Sequence, residues 1–209
     1  MNTTTSSNRL ALQTLALAAA LVVSSCGGDS SADGPATTPE PQDLTAFLIQ
    51  DNEEPGFRQE GAPETIEGVD DFAAEMRLTD EEAATLRELG FVSFTVTFIS
   101  GPDDSAGVSN VQLFEDAAGA EEWMAHDVSD EVIKLALPDA KIERFTVDAI
   151  PGSTGWTSPA PGAPVANLLW VQGTCVFTLG NQGPGELVAD ITTGAEAIYR
   201  RTEGTCPEG

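Results

Sequence analysis

From Phe91 to Ile99 apolar and hydroxyl-bearing side chains alternate. Val92, Phe94, Val96 and Phe98 fall on one face of an extended chain, Ser93, Thr95 and Thr97 on the other. A period of two predicts a half-buried antiparallel strand. Its hydroxyl face would be open to a partner if no helix covers it. Gly101-Pro102-Asp103-Asp104 then predicts a turn, and Asn110–Phe114 the return strand. Beyond it the period changes. Ala120, Met124, Val128 and Val132 recur every four residues, which predicts a helix from Ala117 to about Leu137, stopped by Pro138.

The same grammar repeats further on. Ile142–Ile150 reads as a strand with Phe145, Val147 and Ala149 on one face, and Pro151–Pro164 as a loop rich in Pro, Gly and Ser. Ala166–Val171 and Thr174–Leu179 read as strands joined at Gln172-Gly173, and Glu186–Arg201 as a closing amphipathic helix after the loop Asn181–Gly185. Upstream, Leu44–Gln50 predicts a helical turn or two, and Pro55-Gly56-Phe57 a turn into an edge strand. Thr79-Asp80-Glu81-Glu82 is a capping box for a helix that runs to Leu89 and stops at Gly90. Strand, turn, strand, helix thus occurs twice, over residues 91–137 and 166–201. The expected fold is α+β: an antiparallel sheet packed by helices, in which two ββα units would put their helices on one face. Residues 44–209 are long enough to form one domain with a real core.

Residues 1–43 do not belong to that pattern. Arg9 precedes an apolar run, residues 10–23, too short for the ~20 residues that span a membrane. The run closes on Val23-Ser24-Ser25-Cys26. An aliphatic residue three before a cysteine, followed by small residues, resembles the lipobox of bacterial lipoprotein signals. That resemblance, confined to residues 1–26, implies removal of residues 1–25 and a lipid on Cys26. Two acyl chains at ~0.8 kcal/mol per buried methylene give stable anchoring. No twin-arginine pair is present, so the general secretion route is expected. The plainer alternatives are an ordinary secretory signal or a short buried helix. Gly27–Asp43 holds no large apolar side chain and cannot offset the entropy of ordering, so residues 26–43 read as anchor and disordered tether. Its reach is roughly 20–50 Å.

Charge narrows the partners. With 34 acidic and 9 basic residues the chain carries a net charge of −25, and losing Arg9 with the leader makes it one unit more negative. Such an excess repels nucleic acid and anionic headgroups. A solvated surface is its simplest meaning; a cation or basic partner is the sharper one. The cysteines agree with export. Cys26 goes to lipid, leaving Cys175 and Cys206 as an even pair in an oxidising compartment. Closing a loop of roughly 30 residues stabilises by roughly 3–4 kcal/mol in the chain-entropy model. The bond would staple the tail after the last helix to a core strand. Two free thiols outside the cytosol, or a zinc site without Cys-x-x-Cys and with one distant histidine, are poorer readings.

This order of elements behind an anchor and tether resembles small actinobacterial exported domains, namely the LpqN-type lipoproteins and the extracellular sensor domains of some receptor kinases. The resemblance spans most of residues 44–206 but is architectural, without a diagnostic motif. It implies an antiparallel sheet packed by helices, disulfides and a binding role. The kinase sensors commonly carry two disulfides where this chain can form one, so no binding residue is carried over.

A search for catalytic groups finds none assembled. His126 is the only histidine and sits in Glu122-Trp123-Met124-Ala125-His126-Asp127, with Glu122 and Asp130 one turn away on either side. It reads as a surface histidine held protonated by an acidic stripe, not as a base for a serine or cysteine nucleophile. Paired carboxylates abound, but among so many acids adjacency carries little information. No calcium loop is present; only the Gly101–Gly107 turn offers weak calcium binding. Gly180–Gly185 opens a helix without the Lys or Ser/Thr that a phosphate cradle needs. No cofactor and no metal ligand set is expected. Trp123 and Trp170 fit core positions. Trp156 lies in the Pro/Gly/Ser loop and is a candidate ligand contact. Ser93, Thr95 and Thr97 are the other candidate contact surface.

The sequence therefore reads as a lipoprotein on the extracytoplasmic face of the cell membrane, with a non-enzymatic, sensor-like domain that binds an unknown protein or small molecule. A carrier for a lipid or apolar molecule is the alternative and would need an internal cavity. An envelope hydrolase working through carboxylates ranks last.

Overall fold

Thr79 opens a helix where the capping box places one. Its hydroxyl accepts a hydrogen bond from the Glu82 amide (3.2 Å), and the Glu82 carboxylate accepts from the Thr79 amide. In this computed structural model, which describes residues 42–159 and 164–206, that helix is the second of five among the described residues. The expected leader, Cys26 and all but the last two residues of the tether lie outside the described residues. The helices are α1 (Gly68–Met76), α2 (Asp80–Glu88), α3 (Ala117–Asp127), α4 (Asp130–Ala136) and α5 (Leu187–Arg201). The strands are β1 (Arg58–Glu67), β2 (Phe91–Ser100), β3 (Ala106–Phe114), β4 (Glu143–Phe145), β5 (Thr154–Ser158), β6 (Val165–Gln172) and β7 (Cys175–Gln182). They form one sheet in the order β1-β2-β3-β7-β6-β5-β4, every neighbour antiparallel. The fold is α+β, as the pattern implies.

The two hairpins, β2–β3 and β6–β7, meet at the centre, where β3 pairs with β7 from Ala106↔Gln182 to Leu113↔Cys175. Each is followed by helix, but the helices do not share a face. Cys175, Phe177 and Leu179 of β7 pack with Leu187, Ile191, Ala195 and Ile198 of α5. Val176 points the other way, into a cluster with Phe72 of α1, Leu86 of α2 and Ala120 and Trp123 of α3. The sheet is thus covered on both sides. Trp170 lies flat on Phe177 beneath α5, centroids 5.0 Å apart and 9° from parallel. On the other side Phe72 stacks on Phe91 at 4.8 Å and tilts against Phe94.

That two-sided cover explains the first departure from the sequence pattern. The Ser93/Thr95/Thr97 face is not an open platform: the three residues are at most 1% exposed. Thr95 Oγ1 shares a hydrogen bond with Thr65 Oγ1 (3.0 Å), and Thr97 pairs across the ladder with Ser109, whose Oγ accepts from the Ile49 amide. Small hydroxyl side chains mimic an outward face in sequence yet fit a tight inner one. Register slips between Phe91 and Ser93, so Val92 packs with the α5-side core instead of with Phe94.

Three further boundaries differ. The helix expected over 117–137 is two, because Ser129 leaves helical geometry (ψ 147°) and caps α4 by accepting from the Val132 amide. The strand expected over 142–150 stops at Phe145. Ser153 Oγ then binds both the amide and the carbonyl of Val147, and Val147 accepts from the Ile150 amide, so the buried Val147 and Ile150 belong to a turn. The expected loop 151–164 contains β5, paired to β4 and β6, with Trp156 opposite Arg144 and Asn167. Gly155 hides this strand from a propensity reading. The Phe145 ring occupies the space a side chain at 155 would need, at 2.4 Å from a built Cβ. Helix α1 is also new; only Val69 and Phe72 of its nine residues are buried.

Candidate functional site

Cys175 and Cys206 are joined, with Cα atoms 5.8 Å apart, and the bond fastens the tail after α5 to β7 as the cysteine pairing implies. Trp123 and Trp170 are core residues, 3% and 0% exposed. Trp156 is not in an open loop. It is a β5 residue, 6% exposed, packed with Ile133 and Val165 at the β4 end of the sheet. With their side chains inside, Trp156, Ser93, Thr95 and Thr97 form no exposed contact surface. His126 also departs from expectation. It is half-buried and stacks on Trp123 with centroids 5.4 Å apart. Burial moves its pKa down, while Glu82 of α2 and Glu131 of α4 pull it up. The acidic neighbours that sequence spacing proposes, Glu122 and Asp130, are not the ones that act on it.

The structure instead brings together residues from the two ends of the domain. The N-terminal segment, residues 42–57, enters with Asp43 accepting from the Thr45 amide and hydroxyl, then makes a single 3₁₀ turn at Thr45–Phe47. Leu44, Leu48, Ile49 and Phe57 sink into the core under α5. Arg201 in the last turn of α5 clamps this segment from outside. Its guanidinium donates to both Glu53 oxygens (2.6 and 2.9 Å), to the Leu48 carbonyl (2.7 Å) and to the Ala46 carbonyl. Asn52 takes a left-handed conformation (φ 70°), which carries the chain from the Asp51 contact with the Gln59 amide back to Glu53.

Behind Glu53 the next residue turns inward. Glu54 is 1% exposed, and one carboxyl oxygen accepts from Asn181 Nδ2 of β7. The other, Oε2, has no partner among the described residues. Burial pushes this carboxyl up to about 7 against the opposing hydrogen bond, and Asp190 of α5 pushes the same way. Asp190 is itself raised, by burial first and then by Glu186. Glu54 Oε2 lies against Gly194, 3.2 Å from where a Cβ would stand. Burial raises both carboxyls instead of pushing them apart as acid–base chemistry requires, and Glu54 faces the backbone of α5, not solvent, where a substrate has no access to it.

Outside this buried acid is an open cleft of about 590 Å³. Asn52 and Glu53 form one wall; Thr193, Glu196, Ala197, Arg200 and Arg201 of α5 form the other. A smaller hollow of about 260 Å³ adjoins it, lined by Ala149, Tyr199 and Glu203 and sharing Glu196 and Arg200. Among the described residues Arg200 makes no ion pair, whereas Arg201 is occupied by Glu53. A third cleft, about 460 Å³ between α1 and α2, has Arg87 as its one cation, and that residue is paired with Asp70. The α5 cleft therefore presents a guanidinium free to bind, with Glu196 and the Asn52 amide beside it. Such a set can recognise charged and hydrogen-bonding groups. Among the described residues no three His, Cys, Asp or Glu side chains gather to hold a metal, and no helix is long and apolar enough to cross a membrane.

Glu54, Arg200 and Arg201 carry no motif. Glu53-Glu54-Pro55 reads as one more acidic turn, and only the fold reveals that Glu54 meets a side chain 127 residues away and Glu53 one 148 residues away. Comparison with protein-family models and with curated proteins finds no match. Among solved structures, the extracellular domain of PknH from Mycobacterium tuberculosis is a weak neighbour. It has a TM-score of 0.46 and 14% sequence identity, over 76% of this chain and 94% of that one.

Proposed function

We propose that this chain is a membrane-anchored extracytoplasmic lipoprotein whose folded part is a non-enzymatic, sensor-like binding module, and that the α5 cleft is where it meets its ligand or partner. The motif ending at Cys26 and the Cys175–Cys206 bond support the location. The cleft carries the binding role: it is open, and its walls come from both ends of the domain. It also holds an unpaired arginine in a chain of net charge −25. An apolar carrier is the weaker reading. The spaces between sheet and helices are occupied by stacked rings, Trp170 on Phe177 and Phe72 on Phe91, where a carrier needs a cavity.

A photo-activated cross-linking residue placed at Ala197, on the surface of living cells, tests the site. Adducts are expected there at least ~10-fold above the same residue at Glu75 on exposed α1, and Arg200→Glu abolishes them, since a lost charge-assisted pair costs about tenfold or more in affinity. Equal labelling at both positions, or adducts that survive Arg200→Glu, would remove the cleft from the account.

A further inference from the structure

Glu54 is the buried group for which the binding role above has no use. It joins three elements: the 42–57 segment, β7 through Asn181, and α5 through Gly194. In this junction two acceptor atoms are buried without partners among the described residues, Glu54 Oε2 and Asn181 Oδ1. Asn181 Oδ1 occupies the space over Gly107 that a side chain there would need. An ionised carboxylate here would leave a charge facing backbone and apolar side chains. A protonated one places a neutral acid in the same space and keeps the Asn181 bond.

We propose that Glu54 is a proton-operated latch: protonated, it fastens the 42–57 segment onto the sheet and α5; ionised, it releases that segment, and with it the Asn52–Glu53 wall of the cleft. The charged groups around it favour this. From α5, Asp190 faces it and is itself crowded by Glu186, while Arg201 is spent on Glu53 and the carbonyls of Ala46 and Leu48. From β7 and β3 come the neutral Asn181 and Gly107. On its own segment Asp51 is bound to the Gln59 amide and Glu53 to Arg201. Among the described residues the charged group that acts on Glu54 is Asp190, and no cation offsets it. The direction follows from linkage. A carboxyl raised when docked stabilises the docked state fully below its undocked pKa, and that contribution is lost as pH rises through about 7. Residue 42 continues directly from the tether, so release lengthens the reach of the anchor as well as opening the cleft. The effects on the cleft and on the reach of the anchor rest on the function proposed above; the latch does not.

Hydrogen exchange of the full-length chain in detergent micelles, corrected for intrinsic exchange rates, tests it. The opening constant of amides in 44–57 is expected to rise on the order of tenfold or more between pH 5 and pH 8. Amides of β7 should hold steady, reporting that the fold survives. Glu54→Gln, a neutral isostere that still accepts from Asn181, is expected to stay docked at both pH values. Asp190→Asn should move the transition to lower pH, and Glu53→Gln should leave the slope intact. A flat wild-type response, or a pH slope that persists in Glu54→Gln, overturns the latch. A slope abolished by Glu53→Gln instead would assign the switch to the Arg201 clamp and overturn it equally.

Discussion

Trp170→Ala is expected to cost about 3–5 kcal/mol, the range for removing a fully buried large aromatic. Trp170 is 0% exposed, its ring lies flat on Phe177, and the ring layer they form is the floor on which α5 rests. At a denaturant slope of about 2 kcal/mol/M, urea unfolding should shift down by about 2 M. The functional effect should run ahead of unfolding. Five residues of the α5 cleft, Arg200 and Arg201 among them, are held in place only as well as α5 is. Trp156 offers the contrast. It packs in a cluster of three buried residues at the end of the sheet, so Trp156→Ala should cost less and leave the cleft intact. A midpoint shift equal to or smaller than that of Trp156→Ala would contradict the placing of the main core under α5.

Removing the Cys175–Cys206 bond, by reductant or by Cys206→Ala, is expected to lower stability by roughly 3–4 kcal/mol and Tm by on the order of 10 °C. The bond closes a loop that contains all of α5, so its loss lets the last turn and tail depart from β7 together. Arg201 would lose its fixed position, and the clamp on Ala46 and Leu48 with it. Intact mass with and without reductant should differ by two hydrogen atoms, and the double variant Cys175→Ala/Cys206→Ala should unfold as the reduced wild type does. A Tm indifferent to reductant would contradict the expectation.

These two contacts also mark how far the sequence can be read. The period-two run at β2, the capping box at Thr79, the Gly173 turn and the even cysteine pair are local or arithmetical signals, and each appears in the structure at its place. What failed depended on what lies across the sheet. Ser93, Thr95 and Thr97 alternate like an exposed face, but Thr65, Ser109 and the 42–57 segment cover or pair them. β5 was hidden because Gly155 has value only beside the Phe145 ring. The candidate site was less legible still. Its walls meet across the whole length of the domain, and no spacing within Asn52-Glu53-Glu54 or Tyr199-Arg200-Arg201 announces a partner so far away. The buried position of Glu54 is a property of packing alone.

The proposed anchoring, and the direction in which a tether would hold the cleft, depend on where the protein resides. Labelled palmitate followed through a bacterial host, with the mature N-terminus read by mass spectrometry, measures it directly. The mature chain is expected to begin at Cys26, carry a diacylglycerol, sit in the membrane fraction, and lose both label and membrane association in Cys26→Ala. A mature chain that begins elsewhere, or label that persists in Cys26→Ala, would contradict that expectation.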